Sequence, residues 1–203
     1  IIHSNHAGYA HGRGEISPNG TASAPYCPIP DRTAVYGPHY KDLLTKGSVY
    51  PEHSVVVTGQ PRYERICHAN RLYSRASLLT KFGIASSHRI VLWTTQSWGL
   101  SADENLRNLG AVLGAMKHID DATLIVKQHP LEREEHTRMI NERLHQYQAS
   151  AVLAPKNADT FELLFVCDLM ITKSSTTAVE AVAFDKPMII LDLSSEKSSD
   201  LLG

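Results

Sequence analysis

The sequence predicts an α/β protein built on a doubly wound parallel sheet. Apolar runs of strand length alternate with helical stretches of ten or more residues, the spacing that crossover connections between parallel strands require. The strand-like runs end in polar turn-forming segments, which a parallel sheet gathers on one edge. The run DLMITKSSTTAVEAVAFDKPMIILDL, Asp168 to Leu193, reads as a complete unit of strand, hydroxyl-rich turn, short helix, proline turn and second strand.

Residues 1–32 are rich in Gly, Pro, His and Asn without periodicity, and are expected to be a loop or linker left from an absent amino-terminal domain. Ile1-Ile2 has the look of a strand tail with no start methionine, and SSEKSSDLLG ends without a closing element, so the chain is expected to be part of a larger protein. Residues 33–203 are then expected to form one domain. Thr33 to Gly37 is a short strand, His39 to Leu44 a helical patch and Val55 to Thr58 a second strand, which ends in the sharp turn Gly59-Gln60-Pro61-Arg62. A long helix is expected from Tyr63 to Phe82, with Ile66, Leu72, Leu78 and Leu79 buried and Gly83 closing it.

The alternation then becomes regular. Arg89 to Thr94 is a strand, and Ser101 with Glu104 forms a capping box for a helix running to about His118. Thr123 to Lys127 is the next strand, and Glu132, Glu134 and Glu135 open a helix to Tyr147 where its dipole favours acids. Ala151 to Leu153 is a short strand, and Asp159 caps a helix from Thr160 to Val166. In the last unit Ala178, Val179, Ala181, Val182 and Phe184 give a dense buried helix that Pro187 forces to stop near Asp185. Met188 to Leu191 reads as a strand covered on both faces.

With a net charge of −1, the chain has no electrostatic footprint for nucleic acid or an anionic membrane. Cys27, Cys67 and Cys167 contain no CxxC pair, which suits a reducing cytosol, and each is expected to be a small buried residue. No apolar run reaches the roughly eighteen residues of a membrane span. His3, His6 and His11 match no zinc spacing, so no metal site is expected, and Gly12-Arg13-Gly14 is only a fragment of a dinucleotide fingerprint.

Four strand ends supply the candidate chemistry: Gly59-Gln60-Pro61-Arg62, Thr94-Thr95-Gln96-Ser97, Lys127-Gln128-His129-Pro130 and Lys173-Ser174-Ser175-Thr176-Thr177. They offer cations, hydroxyls, amides and an imidazole, with no cysteine nucleophile or carboxylate pair, an inventory suited to holding a nucleotide diphosphate. The hydroxyl run is either an ordinary helix cap, with Thr177 and Glu180 at capping-box spacing, or a phosphate site, and Thr177 can cap while Ser174 and Ser175 face a ligand. His129 is a turn residue or a ligand contact, and Lys127 a solvated strand end or a phosphate partner. Glu180 either caps Thr177 or accepts bonds from two ribose hydroxyls.

Together VVVTGQPRYE, VLWTTQS with Glu104-Asn105, VKQHP and CDLMITKSSTTAVEAVAFDKPMIILD resemble the carboxyl-terminal half of GT-B-fold enzymes of nucleotide-activated sugars. The groups they look most like are non-hydrolysing UDP-N-acetylglucosamine 2-epimerases and the CDP-glycerol glycerophosphotransferase and capsule polysaccharide transferases. The match runs from about Asp31 to Asp192. The resemblance implies a Rossmann-like domain binding a nucleotide diphosphate sugar or CDP-alditol as donor substrate, with no other cofactor. By the same resemblance His129, Ser174, Ser175 and Thr176 would contact the phosphates and Glu180 the ribose, and His11 of the His11-Gly12 pair would be the catalytic base or a donor contact, while the strand-end reading adds Gly59, Arg62, Thr95, Gln96, Lys127, Pro130 and Thr177 as candidate donor contacts. Thr95 and Gln96 stand where the epimerases carry a His-Arg pair, and Lys173 and Val179 where they carry an aspartate and a glutamate, which favours the transferases. The expected role is then the donor domain of a transferase in surface polysaccharide synthesis, with a nucleotide-sugar epimerase or a noncatalytic nucleotide-sugar binding domain as alternatives. A polysaccharide or lipid-linked acceptor, a cytoplasmic location and contact with the inner face of the membrane through regions beyond this chain complete the expectation.

Overall fold

The computed structural model describes residues 30–47, 50–96, 101–173, 175–191 and 193. The described residues divide into two compact units, one up to Glu64 and one from Arg65 onward.

In the first unit β1 (Thr33–Val35) and β2 (Val55–Val57) pair in parallel, Thr33 opposite Val55 and Val35 opposite Val57. Helix α1 (Pro38–Gly47) connects them, and Val35, Leu44, Tyr50 and Val55 form the small core. Gly59 follows β2 with φ +79°, a left-handed conformation that a side chain would strain. Gln60 then accepts a hydrogen bond from the Arg62 N–H at the start of a 3₁₀ turn, Pro61–Tyr63.

The expected long helix from Tyr63 to Phe82 is broken into three pieces, α2 (Glu64–Cys67), α3 (Ala69–Leu72) and α4 (Arg75–Phe82). His68 leaves helical geometry at φ −109° and ψ 7°, and Tyr73 and Ser74 are extended, with Ser74 Oγ capping α4 by accepting the Ser77 N–H. Leu78 and Leu79 are buried as expected, but Leu72 is exposed and Ile66 half-buried. Gly83, left-handed at φ +65°, closes α4.

The second unit is a five-stranded, wholly parallel sheet in the order β5-β4-β3-β6-β7. Its strands are β3 (Arg89–Thr94), β4 (Ala122–Lys127), β5 (Ala151–Ala154), β6 (Leu169–Thr172) and β7 (Met188–Ile190), connected by α5 (Ala102–Met116), α6 (Glu134–Tyr147), α7 (Thr160–Val166) and α8 (Thr177–Ala183). The capping box of α5 forms with both bonds, Glu104 N–H to Ser101 Oγ and Ser101 N–H to the Glu104 carboxylate. One face of the sheet packs Val91, Trp93, Leu124 and Val126 against Leu109 and Leu113 of α5 and Ile140 of α6. Burying side chains of this size contributes about 1.5 to 3 kcal/mol each and fixes the strand order. Gly110 and Gly114 leave room for the Tyr147 ring; a Cβ at Gly110 would lie 2.9 Å from its Oη.

The last unit differs from its sequence reading. In α8 Ala178, Glu180 and Ala181 are buried while Val179 and Val182 are exposed. β7 is an edge strand with Ile189 and Ile190 exposed, so it is not covered on both faces. Cys167 is buried, and burial pushes its thiol up to about 11, but Cys67 is exposed, against expectation. Cys27 lies outside the described residues. Among the described residues no helix is long and apolar enough to cross a membrane.

Candidate functional site

The strand order contains one reversal. The chain leaves β3 through α5 to build β4 and β5 on one side, then crosses back to build β6 and β7 on the other. Open parallel sheets bind ligands outside the carboxyl ends of the strands at such a point, here between β3 and β6. Thr94 Oγ1 donates to Thr172 Oγ1 at 3.0 Å across the buried junction of these two strands.

Beyond β3, Thr95 and Gln96 are both buried. Thr95 N–H donates to the Lys127 carbonyl at 3.0 Å, and Thr95 Oγ1 accepts the His129 N–H at 2.9 Å, joining the turns after β3 and β4. Asn105 of α5 clamps Gln96: its amide nitrogen donates to the Gln96 carbonyl at 2.6 Å while its oxygen accepts the Gln96 N–H at 3.2 Å. The side-chain amide continues the ladder where the strand has ended. Asn105 was not among the residues expected from sequence at the site, although Glu104-Asn105 stood among the motifs of the resemblance and Asn105 lies four residues after the cap Ser101.

His129 is half-buried at the carboxyl end of β4. Its Nδ1 accepts the Leu131 N–H at 3.2 Å, which leaves the proton of the neutral ring on Nε2. Burial holds its pKa below the usual value, with Lys127 adding to the depression and Glu132 opposing it. Lys127 is buried, and its ammonium donates to the carbonyls of Gln128 and Lys156, each at 2.8 Å. Burial lowers its pKa as well. Pro130 is exposed beside them.

In the turn after β6, Lys173 is buried, Ser175 half-buried and Thr176 exposed. Thr176 is the residue before α8, and it makes no side-chain cap bond. Ser175 Oγ instead accepts the Thr177 N–H at 3.2 Å and donates to Thr177 Oγ1 at 3.0 Å. The sequence division of labour is reversed: Ser175 supplies the local cap, and the Thr177 hydroxyl proton is left to point elsewhere. Glu180 lies one turn on and is buried.

The second unit thus brings Thr95, Gln96, Lys127, His129, Pro130, Ser175, Thr176, Thr177 and Glu180 to the carboxyl edge of one sheet. Gly59 and Arg62, both after β2, belong to the first unit. His3, His6, His11, Ser97 and Ser174 lie outside the described residues. Among the described residues no group of three or more His, Cys, Asp or Glu side chains could hold a metal ion.

The profile of the family described as UDP-N-acetylglucosamine 2-epimerase matches residues 33–198. The chain belongs to the UDP-N-acetylglucosamine 2-epimerase family. No curated protein matches it. Among solved structures, the S. aureus MnaA–UDP complex superposes with a TM-score of 0.60 at 17% identity, over 80% of this chain and 42% of that one. The UDP-GlcNAc 2-epimerase of Neisseria meningitidis bound to UDP-GlcNAc gives 0.55 at 17%, over 76% and 43%. The wall teichoic acid polymerase TagF gives 0.51 at 16%, over 79% and 38%. The chain therefore spans about two-fifths of the length of these structures, and at such identities they share its fold: the Rossmann-like sheet of a GT-B domain. The resemblance seen in the sequence, to GT-B-fold enzymes related to the UDP-N-acetylglucosamine 2-epimerases, is borne out.

Proposed function

We propose that this domain binds the nucleotide diphosphate of an activated sugar or alditol phosphate and forms the donor half of a transferase that builds a surface polysaccharide. The observation that carries the reading is the convergence at the sheet reversal of buried Thr95 and Gln96, neutral His129 with its proton on Nε2, and the Thr177 hydroxyl. These are neutral polar groups held in place by the protein, the kind of preorganised surrounding that stabilises charge on a leaving phosphate. Glu180 is assigned to the ribose hydroxyls, and Ser174 and Thr176 to the phosphates. His11, outside the described residues, is the proposed base. MnaA was solved with UDP, the Neisseria epimerase with UDP-GlcNAc, and TagF was soaked with CDPG, which supports a nucleotide-linked donor here.

The second reading is a nucleotide-sugar 2-epimerase, favoured by the family match. Thr95-Gln96, Lys173 and Val179, in place of the epimerases' His-Arg pair and two acids, weigh against it. Calorimetric titration with UDP, CDP and GDP tests the shared premise. At least one should bind, and His129→Ala and Thr177→Val should each weaken it about tenfold, the scale of one charge-assisted hydrogen bond. Absence of binding by all three nucleotides sinks both readings. Isomerisation of UDP-GlcNAc by the full-length protein without an acceptor would select the epimerase, and binding without any turnover the noncatalytic reading.

A further inference from the structure

Lys127 is the cation that a strand-end reading assigns to the ligand, yet its ammonium is turned into the protein. We propose that Lys127 and Lys156 form a reciprocal clasp that positions His129, so that Lys127 serves the ligand through the imidazole; this rests on the nucleotide-binding reading above. Lys127 Nζ donates to the carbonyl of Lys156, 29 residues on, and to that of Gln128, both at 2.8 Å. Lys156 Nζ returns to the other end of the same turn, donating to the Glu132 carbonyl at 2.8 Å and the Glu134 carboxylate at 2.6 Å. The turn 128–132 is thus held at both ends by lysines of two successive strand ends. Between them lie the bonds that set His129: its N–H to Thr95 Oγ1, Leu131 N–H to its Nδ1, and Glu132 N–H to its carbonyl.

The chemistry fits positioning. Two of the three ammonium donors of Lys127 are spent on carbonyls in a place only 4% exposed. Its charge also opposes protonation of His129, with Glu132 acting in the other direction. The clasp therefore fixes both the place of the ring and the neutral form in which Nε2 donates. A lysine contacting phosphate directly would act independently of the histidine.

A double-mutant cycle separates the two roles. CDP and UDP affinity is measured by calorimetry for the wild type, Lys127→Met, His129→Ala and the double variant. Lys127→Met alone should weaken binding about tenfold, the scale on which losing an outer partner weakens a ligating histidine. In the His129→Ala background it should change affinity less than twofold. Losses that multiply across the two sites would overturn the clasp in favour of direct contact. His129 is also titrated by proton NMR in the unliganded protein. Lys127→Met should shift its pKa upward, since both a neighbouring positive charge and the order of the turn are lost, and an unmoved titration would overturn the proposal even if no nucleotide binds. If Lys127→Met does not fold, the half-exposed Lys156→Met replaces it in the same cycle, where a smaller loss that again vanishes without His129 is expected and a multiplying loss would be contrary.

Discussion

At the amino-terminal edge of the five-stranded sheet, polar side chains bind one another and the strand starts. Arg75 donates to the carbonyls of Val166 and His88 and to both oxygens of Asp168, while Asp168 accepts the Ile90 N–H at 2.7 Å. His88 Nδ1, Thr123 Oγ1 and Ser150 Oγ form a chain across the starts of β3, β4 and β5. At the carboxyl-terminal edge, Asn105, Thr95 and Lys127 instead hold the backbones of turns. Buried polar atoms without a partner follow the same division. In this unit, among the described residues, they are Trp93 Nε1, Gln128 Nε2 and Glu132 Oε1, all in or after the carboxyl halves of β3 and β4. The amino edge is thus the more fully satisfied of the two, and the strain of unpaired buried groups falls at the carboxyl edge.

The largest effect expected from breaking this division is at the closed edge. Arg75→Met removes the donor of several charge-assisted bonds and strands the carbonyls of Val166 and His88. A loss of about 2 to 3 kcal/mol in urea unfolding is expected. Nucleotide affinity should stay within twofold of wild type, and a large affinity loss without a stability loss would erase the distinction between the edges.

A smaller, mixed effect is expected at the open edge. Asn105→Leu keeps roughly the volume but removes two hydrogen bonds to the Gln96 backbone, those to its N–H and its carbonyl. About 1 kcal/mol of stability and about fivefold in nucleotide affinity should be lost together. Asn105→Asp, which keeps the acceptor and loses the donor, should not restore either, as followed by thermal melts and calorimetry.

The sequence made the sheet legible where burial is total. β3 and β4 are buried almost throughout, so their apolar runs admit no other reading, and the caps at Ser101 and Asp159 mark helix starts through local bonds that residue type alone specifies. It failed where the deciding partner is distant. A buried Glu180 turns Val179 and Val182 outward, although apolar residues there suggest the reverse. The break at Tyr73-Ser74 is an extended pair inside an otherwise helical pattern, closed by Asp159 accepting from the Tyr73 hydroxyl 86 residues away. Lys127 looks the same in sequence whether it faces a phosphate or a carbonyl. At the site the convergence of strand ends was readable from topology, whereas which hydroxyl caps and which donates, Ser175 or Thr177, depends on rotamers that no spacing encodes.

Asp159 sharpens the comparison because it lies after β5, at the carboxyl edge, yet its neighbourhood is closed like the amino edge. Its carboxylate pairs with Arg65, accepts the Tyr73 hydroxyl at 3.1 Å and caps α7 through the Phe161 N–H at 3.0 Å, while Arg65 stacks over the Tyr73 and Phe161 rings. Burial alone would raise its pKa, but the hydrogen bonds from Arg65 and the Phe161 N–H outweigh that and hold it below the usual carboxylate value. A depressed acid binds fewer protons folded than unfolded. Its contribution is therefore fully present above the unfolded pKa of about 3.9 and is lost as pH falls from there through the folded value. In Asp159→Asn the uncharged amide still caps α7 but cannot pair with Arg65. The unfolding free energy from urea curves should fall by a few tenths of a kcal/mol at neutral pH, a size set by the partial exposure of the pair, and the gap to wild type should close as pH falls below the unfolded value of about 3.9. Nucleotide affinity should not move. Curves that stay parallel through the acid range would mean that the ion pair contributes nothing, and an affinity loss would mean that the ligand site extends along the edge to β5. The expected outcome confines it to the carboxyl ends of β3, β4 and β6, away from β5.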